Sequence, residues 1–152
     1  SMVLYFTGRS RSSAAIINEQ KKNTSEGNQT AIEAMHKIKQ SAIDTKLALL
    51  KGDVGEFARI LGEGWENKKK MAGAITNPMI QEAFDVATGA GAMAGKVSGA
   101  GGGGFIMFVV EPTRKEEVVR ALNNLNGFVM PFQFIDDGAH GWKIYSTDKV
   151  QK

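Results

Sequence analysis

From Gly89 to Gly104 the chain holds little besides glycine, alanine and serine around Met93, Lys96 and Val97, and Phe105 to Val110 is then continuously apolar. Glycines this dense lose much conformational entropy on folding, so their geometry must be needed. In Lys96-Val97-Ser98-Gly99-Ala100-Gly101-Gly102-Gly103-Gly104 that geometry suits backbone amides converging on an anion, for which a phosphate is the commonest guest. The other reading, that glycine only lets a helix and a strand approach closely, fits an isolated glycine better than six small residues in succession.

Gly99, Gly101 and Gly104 satisfy the dinucleotide pattern G-x-G-x-x-G, but that loop follows a strand and opens a helix. Here the pattern predicts a helix before the loop and a strand after it. A P-loop fails on residues, because its first glycine and its hydroxyl fall on Ala90 and Val97. A protein-kinase glycine loop lies in a β-hairpin near the N-terminus and needs later catalytic motifs that are missing here.

The remaining elements frame this loop. Val3 to Thr7 reads as a strand closed by Gly8. Ser1-Met2 ahead of so abrupt a start reads as an expression scar before an excised fragment. Ile32, Met35, Ile38, Ile43 and Leu50 recur at helical spacing from about Thr30 to Leu50, and Gly52 ends that helix. Asp53 and Glu56 form a capping box for a second helix with Phe57, Ile60, Leu61 and a core Trp65. Asn77-Pro78 starts a third, and Thr113 with Glu116 predicts another helix running to Asn126-Gly127. Phe128 to Ile135 and Trp142 to Tyr145 read as closing strands. The order is strand, three helices, strand, helix, strand, strand. It predicts one α+β domain over residues 1–152, a mainly antiparallel sheet with helices packed on one face.

Composition narrows the chemistry. Nineteen basic residues against sixteen acidic ones, with 8% aromatics, argue against nucleic acid, and Lys68-Lys69-Lys70 reads as the solvated face of a helix. No cysteine and two distant histidines, His36 and His140, argue against a metal site. Without an apolar run of about 20 residues or a signal pattern, a cytoplasmic protein that meets no membrane is expected.

The loop resembles the third signature motif of the GHMP kinase superfamily (galacto-, homoserine, mevalonate and phosphomevalonate kinases), roughly Lys-x-Ser/Thr-Gly-Ala-Gly-x-Gly-Gly before an apolar strand. Lys96 to Gly104 matches it throughout, Gly89 to Gly95 looks like its approach, and the element order is similar to the superfamily's ferredoxin-like C-terminal domain. Leu4 to Ser13 and Gly138 to Tyr145 look most like the bacterial heptose 7-phosphate kinases, although Gly141 stands where a larger residue is expected.

The resemblance implies a parent enzyme that uses ATP and Mg2+ to phosphorylate a hydroxyl of a sugar phosphate, plausibly the anomeric hydroxyl of a heptose phosphorylated at its far end. It also implies an N-terminal half, absent here, carrying the main ATP-gripping loop Pro-x-x-x-Gly-Leu-x-Ser-Ser and the catalytic carboxylate. No catalytic residue is therefore expected in this chain, whose part would be the phosphate-side loop Lys96, Ser98, Gly99, Ala100, Gly101, Gly102, Gly103 and Gly104. Lys96 could equally be a solvated lysine at a helix end. Arg9 and Arg11 are candidates to clamp the substrate's resident phosphate, because guanidinium binds phosphate bidentately; an ordinary basic turn is the alternative. Ser10, Ser12 and Ser13 could add donors or cap the next segment. A β-branched residue at Gly101 or Gly103 is expected to cut the complete enzyme's turnover more than its stability. The competing function is a standalone ferredoxin-like module binding a small anionic metabolite, and a third is an assembly domain.

Overall fold

The structure, a computed structural model, describes residues 1–9 and 12–142. Four strands form one antiparallel sheet in the order β2-β3-β1-β4. They are β1 (Met2–Phe6), β2 (Ala92–Val97), β3 (Phe105–Val110) and β4 (Phe128–Met130). Five α-helices accompany them: α1 (Ser13–Ser25), α2 (Gln29–Lys51), α3 (Val54–Lys69), α4 (Pro78–Gly89) and α5 (Lys115–Leu122). This is the α+β architecture with an antiparallel sheet that the element order predicts.

Alternation along the central strands sets the core. Val3 and Tyr5 of β1 and Ile106, Phe108 and Val110 of β3 share one buried face. Onto that face pack Ile16 of α1, Trp65 of α3, Ile80, Ala83 and Ala87 of α4, and Val118 and Leu122 of α5. Trp65 is a core residue, stacked on Phe84 at 5.4 Å between ring centres, and Phe84 meets Phe108 edge-on at 5.3 Å. On the opposite face Leu4, Met107 and Met130 line an open groove of about 760 Å3 bordered by Val54, Phe57 and Phe132.

Several expected boundaries hold for local reasons. The Asp53 carboxylate accepts from the Glu56 amide at 2.9 Å, and the Asn77 side-chain oxygen accepts from the Ile80 amide at 3.0 Å. Gly52 closes α2 in the left-handed region at φ 69°. The reciprocal half of the box at Asp53 is not made, because the Glu56 carboxylate pairs with Arg59 at 2.6 Å.

Other expectations are corrected. The small residues at 92–97 form a strand rather than the tail of a helix, and the packing explains their size. A Cβ on Gly95 would lie 2.5 Å from the Phe108 ring, and one on Gly62 of α3 would meet Ala94 at 3.4 Å. β2 is thus pared down to admit a ring on one side and a helix on the other, which overrides its poor strand propensity.

A further helix, α1, precedes the three expected. It buries only Ile16 and is tied down by polar side chains, Glu19 accepting from the Gly73 amide at 2.8 Å and Asn23 donating to the Met71 carbonyl at 2.9 Å. Ser12 stands at its N-cap position without a side-chain cap bond. The box at Thr113 and Glu116 does not form either. A 3-10 turn, Pro112–Arg114, leads into α5, and Glu116 pairs with Arg120 at 3.0 Å. α5 closes at Leu122, short of Asn126-Gly127, and the Asn123 side chain accepts from the Val129 amide at 3.0 Å. The last strand stops at Met130 because Pro131 has no amide to continue the ladder. Trp142 is 81% exposed and outside any strand, and the rest of the predicted strand to Tyr145 lies outside the described residues.

Gly127 admits β4 to the sheet. Its amide donates to the Tyr5 hydroxyl at 2.9 Å, and an added Cβ would collide with the Phe6 carbonyl and the Tyr5 phenol. Burial pushes that phenol above its ordinary range, more than the Gly127 bond lowers it. Gly127→Ala should lower the unfolding free energy by about 3 kcal/mol in a urea titration. Gly138→Ala, at a position with no atom within 4 Å, should leave it within about 0.5 kcal/mol.

Candidate functional site

Residues 98–104 connect β2 to β3, and the Ser98 amide closes the base by donating to the Phe105 carbonyl at 2.8 Å. The loop therefore joins two antiparallel strands, contrary to the expected helix–loop–strand setting. A dinucleotide loop remains excluded, because no helix follows. The hairpin setting is one that a protein-kinase glycine loop shares, so only the missing motifs and the surrounding fold separate the two.

Gly99, Gly101, Gly102, Gly103 and Gly104 have φ of 76°, 107°, 77°, 155° and 85°. Two backbone segments hold the loop in that shape. On one side Ile75 accepts from the Gly102 amide at 2.7 Å, and Asn77, besides capping α4, donates its side-chain amide to the Gly102 carbonyl at 3.0 Å. On the other side the Gly104 amide donates to the Arg9 carbonyl at 2.8 Å, and the Thr7 amide donates to the Gly104 carbonyl at 2.9 Å. The Thr7 hydroxyl, 1% exposed, reaches the carbonyls of Gly104 at 3.0 Å and Arg9 at 3.2 Å.

These contacts divide the glycines by role. A Cβ on Gly101 would lie 2.7 Å from the Ile75 carbonyl oxygen, and one on Gly103 would lie 2.9 Å from that of Arg9. Both positions serve close packing, so substitution there carries a stability cost as well. Among the described residues no atom lies within 4 Å of a Cβ built on Gly99 or Gly104, where the backbone angle calls for glycine.

The clasp leaves donors free. Among the described residues the amides of Gly99, Ala100, Gly101 and Gly103 have no hydrogen-bond partner. A polar cavity of about 1050 Å3 adjoins the loop, lined by Gly102, Arg9, Thr7 and Asn77, with the first turn of α4 and Glu82 on its wall. The N-terminus of α4 and Arg9 thus line the same space. The Arg9 backbone carbonyl meets the loop at Gly104, and Arg9 lines the cavity; Ser10 and Arg11 lie outside the described residues. Lys96 sits in β2 opposite Met107 rather than at a helix end, and Ser98 is exposed at the loop's mouth.

Sequence reasoning missed three contributors. Thr7 was legible only as a strand end, and Asn77 only as a cap. Lys68, assigned to a solvated face, is half-buried and donates to the Gly99 carbonyl. Burial, and then the ammonium of Lys96, hold its pKa below the usual lysine range. A signal for it existed. Lys68 lies three residues beyond the core Trp65, on the same helix face.

The donor set of cations and N–H groups fits phosphate oxygens. It supplies no carboxylate cage for Mg2+, and among the described residues no group of His, Asp or Glu could hold a metal. Nor is any described helix long and apolar enough to cross a membrane.

A family model described as GHMP kinases C terminal matches residues 45–126. The chain is 41% identical over 142 residues to a D-glycero-alpha-D-manno-heptose 7-phosphate kinase of Campylobacter jejuni, covering 93% of the chain and 41% of that protein. It is 75% identical to a D-glycero-D-manno-heptose 1-phosphate kinase of known crystal structure from Bacteroides thetaiotaomicron, with a TM-score of 0.64 over 96% of this chain and 36% of that one. A Listeria innocua protein that is only 20% identical shares the fold at a TM-score of 0.79, covering 88% of this chain and 39% of its own. The chain thus spans about 41% of the curated relative and 36% of the crystallised one.

The clasp gives a graded expectation. Gly101→Ala should cost about 3 kcal/mol, from the clash with Ile75 and the strained backbone angle. Thr7→Val should cost about 1–2 kcal/mol, from two carbonyls left without the hydroxyl. Urea unfolding of the chain checks both.

Proposed function

The chain belongs to the GHMP kinase C-terminal family, and on that premise we propose that it is the phosphate-side wall of a cytoplasmic sugar-phosphate kinase whose other half lies in a further N-terminal segment. The observation that carries this reading is the clasp itself. Thr7 and the Arg9 carbonyl hold Gly104, so the Arg9 backbone is joined to the loop that carries the free amides of Gly99, Ala100, Gly101 and Gly103, and Arg9 lines the adjoining cavity.

Each group has a stated part. Arg9 pairs with the phosphate already on the sugar, with Ser10 and Arg11 next to it in sequence. The loop amides, the Ser98 hydroxyl and the Lys96 ammonium hold negative charge on the phosphoryl group as it moves, donors fixed in advance being worth most where charge develops. When bound, ATP supplies the phosphoryl group. The carboxylate that accepts the sugar's proton and the Mg2+ ligands come from outside these residues. The relatives' names support a heptose phosphate as the sugar. For a heptose 7-phosphate, whose anomeric hydroxyl is free, that hydroxyl is the proposed acceptor.

The test joins this chain to the remainder of the Bacteroides thetaiotaomicron kinase in place of the segment it matches. The chimera should release ADP in the presence of heptose 7-phosphate; release with heptose 1-phosphate instead would place the acceptor away from the anomeric hydroxyl. The 152-residue chain alone should release none and should bind ATP no more tightly than millimolar. Arg9→Met in the chimera should raise KM for the sugar phosphate roughly tenfold or more while changing kcat less, as expected for losing one charge-assisted contact. Sugar-dependent ADP release by the chain alone would refute the proposal. Tight metabolite binding by the chain alone would favour a standalone binding module.

A further inference from the structure

We infer that Lys68 and Lys96 form a two-lysine clamp at the β2 end of the glycine loop, which holds phosphoryl oxygens against the amides of Gly99, Ala100 and Gly101. This rests on the reading that the loop faces phosphate, and it adds a residue from α3 that lies outside the loop motif.

The three lysines closing α3 have different surroundings. Lys69 is paired with Glu66 at 2.7 Å, and Lys70 is exposed beside the Asn67 side chain at 3.4 Å. Lys68 turns inward, following Trp65 toward the sheet, and meets the Gly99 carbonyl. An ammonium has three donors and that carbonyl takes one. Among the described residues neither Lys68 nor Lys96 has a carboxylate within 4.0 Å, whereas Arg59 and Lys69, the other cations within α3, are both paired with acids.

Two ammonium groups near enough to disfavour each other's charge, one of them partly desolvated, are an unfavourable arrangement by themselves. A shared anion relieves both costs at once. The adjoining amides supply the remaining donors, and among the described residues no atom lies within 4 Å of a Cβ built on Gly99, where an oxygen can approach. The position also differs from that of Arg9, which meets the loop at its Gly104 end. The guest is therefore a phosphoryl or pyrophosphoryl group, carried either by a nucleotide or by a sugar.

The experiment is a titration of the 15N-labelled chain with inorganic pyrophosphate at low ionic strength, followed at the amides of Gly99, Ala100 and Gly101, with a urea midpoint for every variant. The wild-type chain should show saturable shifts. Lys68→Gln, which keeps a donor for the Gly99 carbonyl but loses the charge, should weaken binding about tenfold, and Lys68→Arg should recover most of it. Competition by ADP would assign the clamp to the nucleotide's phosphates, and competition by glucose 6-phosphate to the sugar's; either supports it. Unchanged affinity in Lys68→Gln, whatever its urea midpoint, would overturn the clamp and leave Lys68 a tether of the loop. No shift at these amides in the wild-type chain would overturn the clamp and the phosphate-facing reading together.

Discussion

Where β1 runs out, the Thr7 hydroxyl is buried between the carbonyls of Arg9 and Gly104, and the Thr7 and Gly104 amides close the same junction from either side. Two chain segments almost a hundred residues apart approach there with no room for a side chain between them. The glycines follow from that constraint. Gly103 lies against Arg9 and Gly101 against Ile75, so the loop's shape is dictated by backbone contact rather than by side-chain packing. β1 is central in the sheet and paired to β3, so a slip of one residue between them would move Thr7 off Gly104 and carry Val3 and Tyr5 out of the core. Core and site therefore share one register.

Charge is arranged around that junction with a consistent sign. Arg9 stands at one end of the loop, Lys96 and Lys68 at the other, and the first turn of α4 faces the same side as Arg9. Glu82 is the one acid on the cavity's wall among the described residues. In the exposed parts of α3 and α5 the opposite habit prevails, with Arg59 between Glu56 and Glu63 and Arg120 on Glu116, pairs worth little at a surface. The contrast is one of surroundings: Arg59 and Arg120 are balanced by acids on their own helices, and Lys68 donates to a backbone carbonyl of the loop.

The helices with strong local signals were legible in the sequence. Asp53, Asn77 and Gly52 act through bonds to backbone only a few residues away, so no knowledge of the fold is needed to read them. The glycine loop was legible as a segment whose backbone geometry demands glycine, and positive φ from Gly101 to Gly104 is what the structure shows there. That Gly101 and Gly103 also admit Ile75 and Arg9 was not legible. What escaped reading depends on distant partners. β2 looks unlike a strand until Phe108 and Gly62 are placed against it. α1 carries one buried side chain, and its anchoring bonds run to Met71 and Gly73, which periodicity cannot reveal. Lys68 is the intermediate case. Its spacing from Trp65 was visible, but the carbonyl it meets belongs to a loop whose position only the sheet defines.

The locally unfavourable features fall together. Glycines with restricted backbones, unpartnered amides and a partly desolvated lysine beside another lysine each cost stability where they stand. A sequence evolving for stability alone would place an acid near Lys96. The coincidence of these features within one loop, against a core built from conventional apolar packing, is an observation on which the proposed phosphate-facing role rests. The sheet makes this tolerable. Because β2 and β3 are anchored by Val97, Ile106 and Phe108, all buried, the loop between them can remain open and charged without loosening the domain that presents it.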